Sequence, residues 1–143
     1  METLQKNFLN ILELWTENHM IGCIIQARMG SSRLPGKVLM KSKNDKPLLY
    51  YVISQLRYCA KVKNFVIATT TNKEDDEIEK FAKKNSVSIF RGSEKDVLDR
   101  YYQCAKKYSF STIIRITADC PLIDPSIVDK VMDRFFSGNY YFA

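Results

Sequence analysis

Between Ala27 and Lys37 the chain concentrates residue types that bind anions: the cations Arg28, Arg33 and Lys37, the hydroxyls Ser31 and Ser32, and the glycines Gly30 and Gly36. Glycine lets backbone N–H groups approach an anion closely. An arginine fork grips two phosphate oxygens at once, and a lysine acts as a mobile point charge. At about 1.5–3 kcal/mol for each charge-assisted hydrogen bond, three such side chains are enough to hold a triphosphate. A Walker A loop does not account for the segment. Gly30 lies one residue too far from Gly36-Lys37, and Val38 stands where a magnesium-binding hydroxyl would be.

A second chemical segment is Ile116-Thr117-Ala118-Asp119-Cys120-Pro121-Leu122-Ile123-Asp124-Pro125. Asp119 follows an apolar run directly, so it is expected at the end of a strand with its carboxylate available to a hard cation. Magnesium takes one or two carboxylates and completes its shell with phosphate oxygens and water. Asp124, followed by Pro125, reads instead as the N-cap of a helix.

These loops need elements to hold them, and the hydrophobic spacing supplies a set. Apolar runs at Ile21–Gln26, 65–69, 87–91 and 112–117 predict short buried strands. Between them, helical spacing predicts a helix opened by Pro47 with Leu48, Leu49, Val52, Ile53 and Leu56 on one face, and another over about 74–84 with Ile78, Phe81 and Ala82 as its stripe. A helix over 96–107 is expected to turn Val97, Leu98, Tyr101, Tyr102 and Ala105 inward. One after Asp124 is lined by Ile127, Val128, Val131, Met132, Phe135 and Phe136, and is ended by Gly138. Residues 3–18 carry Leu4, Phe8, Ile11, Leu12 and Trp15 at helical spacing, and 139–143 read as the start of a further strand. Strands alternating with amphipathic helices predict an α/β fold, a parallel sheet covered on both faces. Its ligand is expected at the carboxyl ends of the strands, where strand order reverses.

Composition bounds the alternatives. The 143 residues suit one domain or a piece of one, and no apolar run approaches the roughly 18 residues needed to cross a bilayer. No secretory signal pattern opens the chain, so a cytoplasmic protein is expected. Cys23, Cys59, Cys104 and Cys120 form no C-x-x-C pair, and His19 is the sole histidine, which argues against structural zinc. Cys23, within an apolar strand, reads as a core filler. The net charge of +6 admits nucleic acid or phosphorylated ligands. Lys80, Lys83, Lys84, Lys106 and Lys107, however, fall on polar helix faces, and no aromatic-interleaved basic patch supports a nucleic-acid partner.

The pattern A-R-x-x-S-x-R-x-x-x-K from Ala27 to Lys37 resembles the signature of the cytidylyltransferases that make CMP-activated acid sugars, nearest to their spore coat polysaccharide branch. The resemblance implies a Rossmann-like three-layer α/β/α nucleotide-diphospho-sugar transferase fold. It also implies transfer of CMP from CTP to a sugar with release of pyrophosphate. Ala27, Arg28, Ser31, Ser32, Arg33 and Lys37 would contact the nucleotide, with Arg28 and Lys37 on the triphosphate and Asp119 on a catalytic Mg2+. Phe90–Arg100 also resembles the family, where this stretch borders the nucleotide and sugar pockets. Read alone it is a strand, a turn and a charged helix start, which leaves Arg91 and Arg100 open between ligand contact and surface, and Ser93 a possible N-cap.

The resemblance begins near Ile21 and covers the N-terminal part of the family's catalytic domain, so residues 20–143 read as an incomplete nucleotide-binding part and 1–19 as an extension outside the pattern. The family's remaining strands supply the rest of the sugar pocket, a second metal-binding carboxylate and the contacts of a homodimer. Two other readings stay open: a sugar-nucleotide-dependent glycosyltransferase, which usually shows a D-x-D motif where this chain has Thr117–Pro121, and a non-catalytic nucleotide-binding fragment.

Overall fold

A computed structural model describes residues 20–138 and 140. The expected helix over 3–18 and strand over 139–143 lie outside or almost outside those residues. Four strands, β1 (Ile21–Gln26), β2 (Asn64–Thr70), β3 (Ser88–Gly92) and β4 (Thr112–Thr117), alternate with helices α1 (Leu48–Leu56), α2 (Asp76–Lys84), α3 (Val97–Lys107) and α4 (Pro125–Phe136). The sheet is parallel with order β3-β2-β1-β4. Expected strand boundaries hold to within one residue, and that of β4 holds at both ends.

Parallel strands buried on both faces need apolar residues pointing both ways, and β1 shows this. Cys23 and Ile25 enter a core on one face with Leu49, Val52, Ile53 and Leu56 of α1, Ile78 and Ala82 of α2, and Val128 of α4. Ile24 enters a second core with Val66, Ala68, and Tyr101, Cys104 and Ala105 of α3. The sheet is therefore a middle layer between helices. Each fully buried Leu or Ile contributes about 1.5–3 kcal/mol. Cys23 is fully buried, and burial pushes its thiol up to about 12, as suits a core filler.

Two helix faces differ from expectation. In α3, Leu98 is 80% and Tyr102 59% exposed, whereas Arg100 and Cys104 face inward. Positions 97, 100, 101, 104 and 105 form the helical row that meets the sheet. Arg100 joins it because its aliphatic stem lies against Gly92, where a Cβ would sit 3.1 Å from its Cγ. In α4 only the Val128–Met132 row, four residues apart, is buried, and Ile127 and Val131 are exposed. Asp124 caps α4 as expected, accepting from Ser126 N at 2.8 Å with Pro125 in the first turn. In α3 the N-cap is Asp96, which accepts from Asp99 N at 2.8 Å, while Ser93 Oγ accepts from Asp96 N one turn earlier.

Strand order sets where a ligand can sit. The chain runs outward from β1 to β2 to β3, then returns to place β4 on the other side of β1. The order reverses between β1 and β4. Their register pairs Gln26 with Thr117, and Ala118 N donates to Gln26 O at 2.9 Å, so the loops after both strands leave the sheet at one level.

Candidate functional site

The loop after β1 is built as a compact turn around one carbonyl. Met29 O accepts from Ser31 N at 2.8 Å and from Gly36 N at 2.9 Å, which closes the loop on itself. Gly36 has φ 72°, in the left-handed region that glycine occupies without strain. From there the chain enters a single 3-10 turn, Lys37–Leu39, whose Val38 is anchored in the core. Ala27 is buried, and its N–H donates to Ala68 O at 3.1 Å, tying the loop's start to β2. Arg28, Ser32 and Arg33 are exposed, and Ser31 is half-buried with its Oγ accepting from Leu34 N at 3.4 Å.

The strand order then brings the two chemical loops together. Lys37 Nζ donates to Asp119 Oδ2 across 82 residues of sequence, with both side chains partly exposed. The Lys37 ammonium holds the Asp119 carboxyl below the usual aspartate range, with a smaller contribution from Thr117. Asp119 is thus a carboxylate at neutral pH, placed against the cation loop. One open carboxylate fits a hard divalent cation that takes its remaining ligands from phosphate and water. Among the described residues no cluster of three or more His, Cys, Asp or Glu side chains could enclose a metal.

Arg91 is placed differently from the cations of the first loop. Its Nη1 donates to Asp76 at 2.6 Å and Glu79 at 2.9 Å, its Nε to Thr70 O at 3.0 Å and its Nη2 to Asn72 O at 2.7 Å. A guanidinium so occupied clamps β3 to the start of α2, and reaching a ligand would require breaking these contacts. Arg100 is fully buried. Its Nη1 donates to Ser93 O at 2.5 Å, Nε and Nη2 have no partner among the described residues, and burial lowers its pKa.

One residue of this region escaped the sequence reading. Asp75, in the 3-10 turn Lys73–Asp75 ahead of α2, is fully buried and accepts from Met29 N at 2.7 Å. In sequence it looks like one of four consecutive acids, Glu74-Asp75-Asp76-Glu77, at a helix start. The available signal is its phase: 75, 78 and 82 lie on one helical row, so Asp75 shares the buried stripe of Ile78 and Ala82 and needs partners there.

A cavity of about 300 Å3 opens at the other end of the sheet, lined by Met20, Asn64, Ser86 and Phe110 at the strands' amino ends. It contains none of the loop cations or Asp119. The first-loop cations and Asp119 lie instead beside the crevice at the carboxyl ends, the place where doubly wound sheets bind ligands.

Comparison with known proteins gives the family. The family model for cytidylyltransferases matches residues 22–143. The chain belongs to the cytidylyltransferase family. It is 41% identical over 116 residues to the spore coat polysaccharide biosynthesis protein SpsF of Bacillus subtilis, covering 79% of this chain and 48% of that protein. It is 29% identical over 119 residues to the 3-deoxy-manno-octulosonate cytidylyltransferase of Chlorobium chlorochromatii, covering 81% of this chain and 46% of that one. Among solved structures, a cytidylyltransferase from Leptospira borgpetersenii superposes with a TM-score of 0.80 at 43% identity, covering 85% of this chain and 51% of that chain. The chain spans about half the length of the relatives it matches. The α/β fold with a parallel sheet between helices is that of these neighbours, and no helix among the described residues is long and apolar enough to cross a membrane.

Proposed function

We propose that this chain carries the nucleotide-binding part of a cytidylyltransferase that transfers CMP from CTP to an acid sugar and releases pyrophosphate. The observation that carries the reading is the meeting of Lys37 with Asp119 at the strand-order switch, where the cation-rich loop and an open carboxylate share one crevice. Support for an acid sugar comes from the relatives, one of which is named a 3-deoxy-manno-octulosonate cytidylyltransferase.

In the reaction a sugar hydroxyl attacks the α-phosphorus of CTP. A bond forms from the sugar oxygen to phosphorus, the bond from phosphorus to the bridging oxygen breaks, and pyrophosphate leaves. Arg28, at the start of the loop, offers a fork to the phosphate oxygens, and Lys37 offers a point charge on the side facing Asp119. Ser31, Ser32, Arg33 and the loop's backbone complete the cradle. The Met29 carbonyl closes the loop on itself, and the loop's contribution is positional and electrostatic. Asp119 would hold Mg2+, which supplies charge neutralisation to the triphosphate. Lys37 then exchanges its carboxylate partner for phosphate. A CTP-consuming enzyme of this kind acts in the cytoplasm, and its full-length form is a homodimer.

A coupled pyrophosphate assay with CTP, Mg2+ and a panel of acid sugars tests the reading. Pyrophosphate released only with an acid sugar supports it. A nucleotide sugar consumed as glycosyl donor, with no pyrophosphate formed, contradicts it.

A further inference from the structure

The first loop is a compact hydrogen-bonded turn although most of its side chains are exposed, and its backbone is tied to what lies beneath. The buried side chain that reaches it from another element is Asp75, 46 residues downstream. Its Oδ1 accepts from Met29 N at 2.7 Å, and its Oδ2 accepts from Thr70 N at 3.1 Å and from Thr70 Oγ1. Thr70 Oγ1 in turn accepts from Asn72 N at 3.1 Å. The carboxylate is fully buried, and the described residues record no salt bridge to it; what satisfies it is this ring of N–H and O–H donors.

Met29 is the residue that matters in the loop. Its carbonyl closes the turn by accepting from Ser31 and Gly36, and its N–H is held by Asp75. Both ends of one residue are thereby fixed, with Arg28 just before it and Gly30 just after. The segment that delivers Asp75 also packs on the loop from above. At Gly30 a Cβ would stand 2.6 Å from Glu74 Oε1, so the absence of a side chain there lets Glu74 and the loop approach.

We propose that Asp75 is the positioning residue of the nucleotide loop, a buried latch that ties the backbone between Arg28 and Gly30 to the end of β2 and sets the cradle before nucleotide binds. Asp75 touches no substrate; it acts through Met29. The inference rests on the nucleotide reading above only for what the loop binds, since the latch itself is a matter of backbone order.

Asp75→Asn keeps the size of the side chain but has one acceptor oxygen, and its NH2 turns a donor toward either Met29 N–H or Thr70 N–H. One of the two amides loses its acceptor. A second, less buried clasp stands at the other end of the sheet. Asp129 also clasps two loop amides, Ala60 N at 2.8 Å and Lys61 N at 3.0 Å, far from the first loop. Asp129→Asn therefore reports what losing a carboxylate clasp away from the first loop does.

The experiment is amide hydrogen exchange of the parent and both variants, with calorimetric titration of Mg2+ and CTP on the same proteins. Asp75→Asn is expected to speed exchange across residues 28–36 at least tenfold while α3 stays protected, and to weaken CTP binding at least tenfold. Asp129→Asn is expected to leave both the loop's exchange and CTP affinity at parent values. Unchanged exchange at 28–36 in Asp75→Asn overturns the latch. So does a loss of CTP affinity equal in the two variants, which would reflect stability alone. If the parent fails to bind CTP, the nucleotide reading fails, and the exchange result still decides the latch.

Discussion

Replacing Lys37 by alanine separates the structural worth of this residue from its functional worth. The ammonium pairs with Asp119, but the two side chains are 28% and 39% exposed. A pair so hydrated contributes about 0–1 kcal/mol to folding, which in a domain of this size moves Tm by no more than about 5 °C. With nucleotide bound, the same charge meets phosphate oxygens, and the loss of one charge-assisted hydrogen bond costs about 1.5–3 kcal/mol. CTP affinity is then expected to fall roughly ten- to 150-fold. The ammonium also competes with a metal for Asp119, so Lys37→Ala should bind Mn2+ more tightly than the parent when nucleotide is absent. Thermal unfolding, calorimetry with CTP and Mg2+, and Mn2+ titration by water-proton relaxation read the three effects. A variant that melts far lower yet binds CTP like the parent would show that Lys37 is structural, and the cradle assignment would be wrong.

Other outcomes follow from the same geometry. Asp119→Asn should abolish the Mg2+ dependence of CTP binding and leave a weaker metal-free affinity, measured by titration with and without EDTA. Arg28→Lys should weaken CTP binding although the charge is kept, because a point charge cannot replace a fork. Asp119, held low chiefly by Lys37, and Asp124, held low by its bonds to Ser126, have folded-state pKa values below their unfolded ones. The stability they contribute is present above about pH 4 and is lost as pH falls through the lower folded values. Urea unfolding from pH 7 down to 2 should show this loss, and a flatter profile for an Asp119→Asn, Asp124→Asn double variant. In the core, Leu49→Ala should cost about 2–5 kcal/mol, whereas Leu98→Ala, at a site 80% exposed, should stay within about 0.5 kcal/mol; equal costs would restore the inward face first expected for that helix.

Much of the fold is legible in the sequence because it depends on local signals. The apolar run of β4 and the Asp124-Pro125 cap are each decided within a few residues, and both appear as expected. Helix faces are less legible where large apolar residues sit on two adjacent rows. Leu98 and Tyr102 look like core in α3, yet the sheet takes the row that carries Arg100 and Cys104, because a glycine on β3 gives the arginine stem room. At the site, residue types point to phosphate and metal chemistry from each loop alone. That Lys37 and Asp119 face one another is a product of strand order, which no local pattern encodes. Asp75 was hidden among neighbouring acids, since its role depends on a backbone amide 46 residues away. Arg91 shows the reverse, a cation of the right type in the right motif whose donors are taken by Asp76, Glu79 and two carbonyls.

The central claim, that the crevice between the Arg28–Lys37 loop and Asp119 holds CTP, is tested most directly by calorimetric titration of the chain with CTP, UTP, GTP and ATP, each with Mg2+. The account predicts saturable one-to-one binding of CTP, weakened at least tenfold in Lys37→Ala, with the other three nucleotides binding more weakly. No CTP binding, or binding that is indifferent to both the base and Lys37, would contradict it.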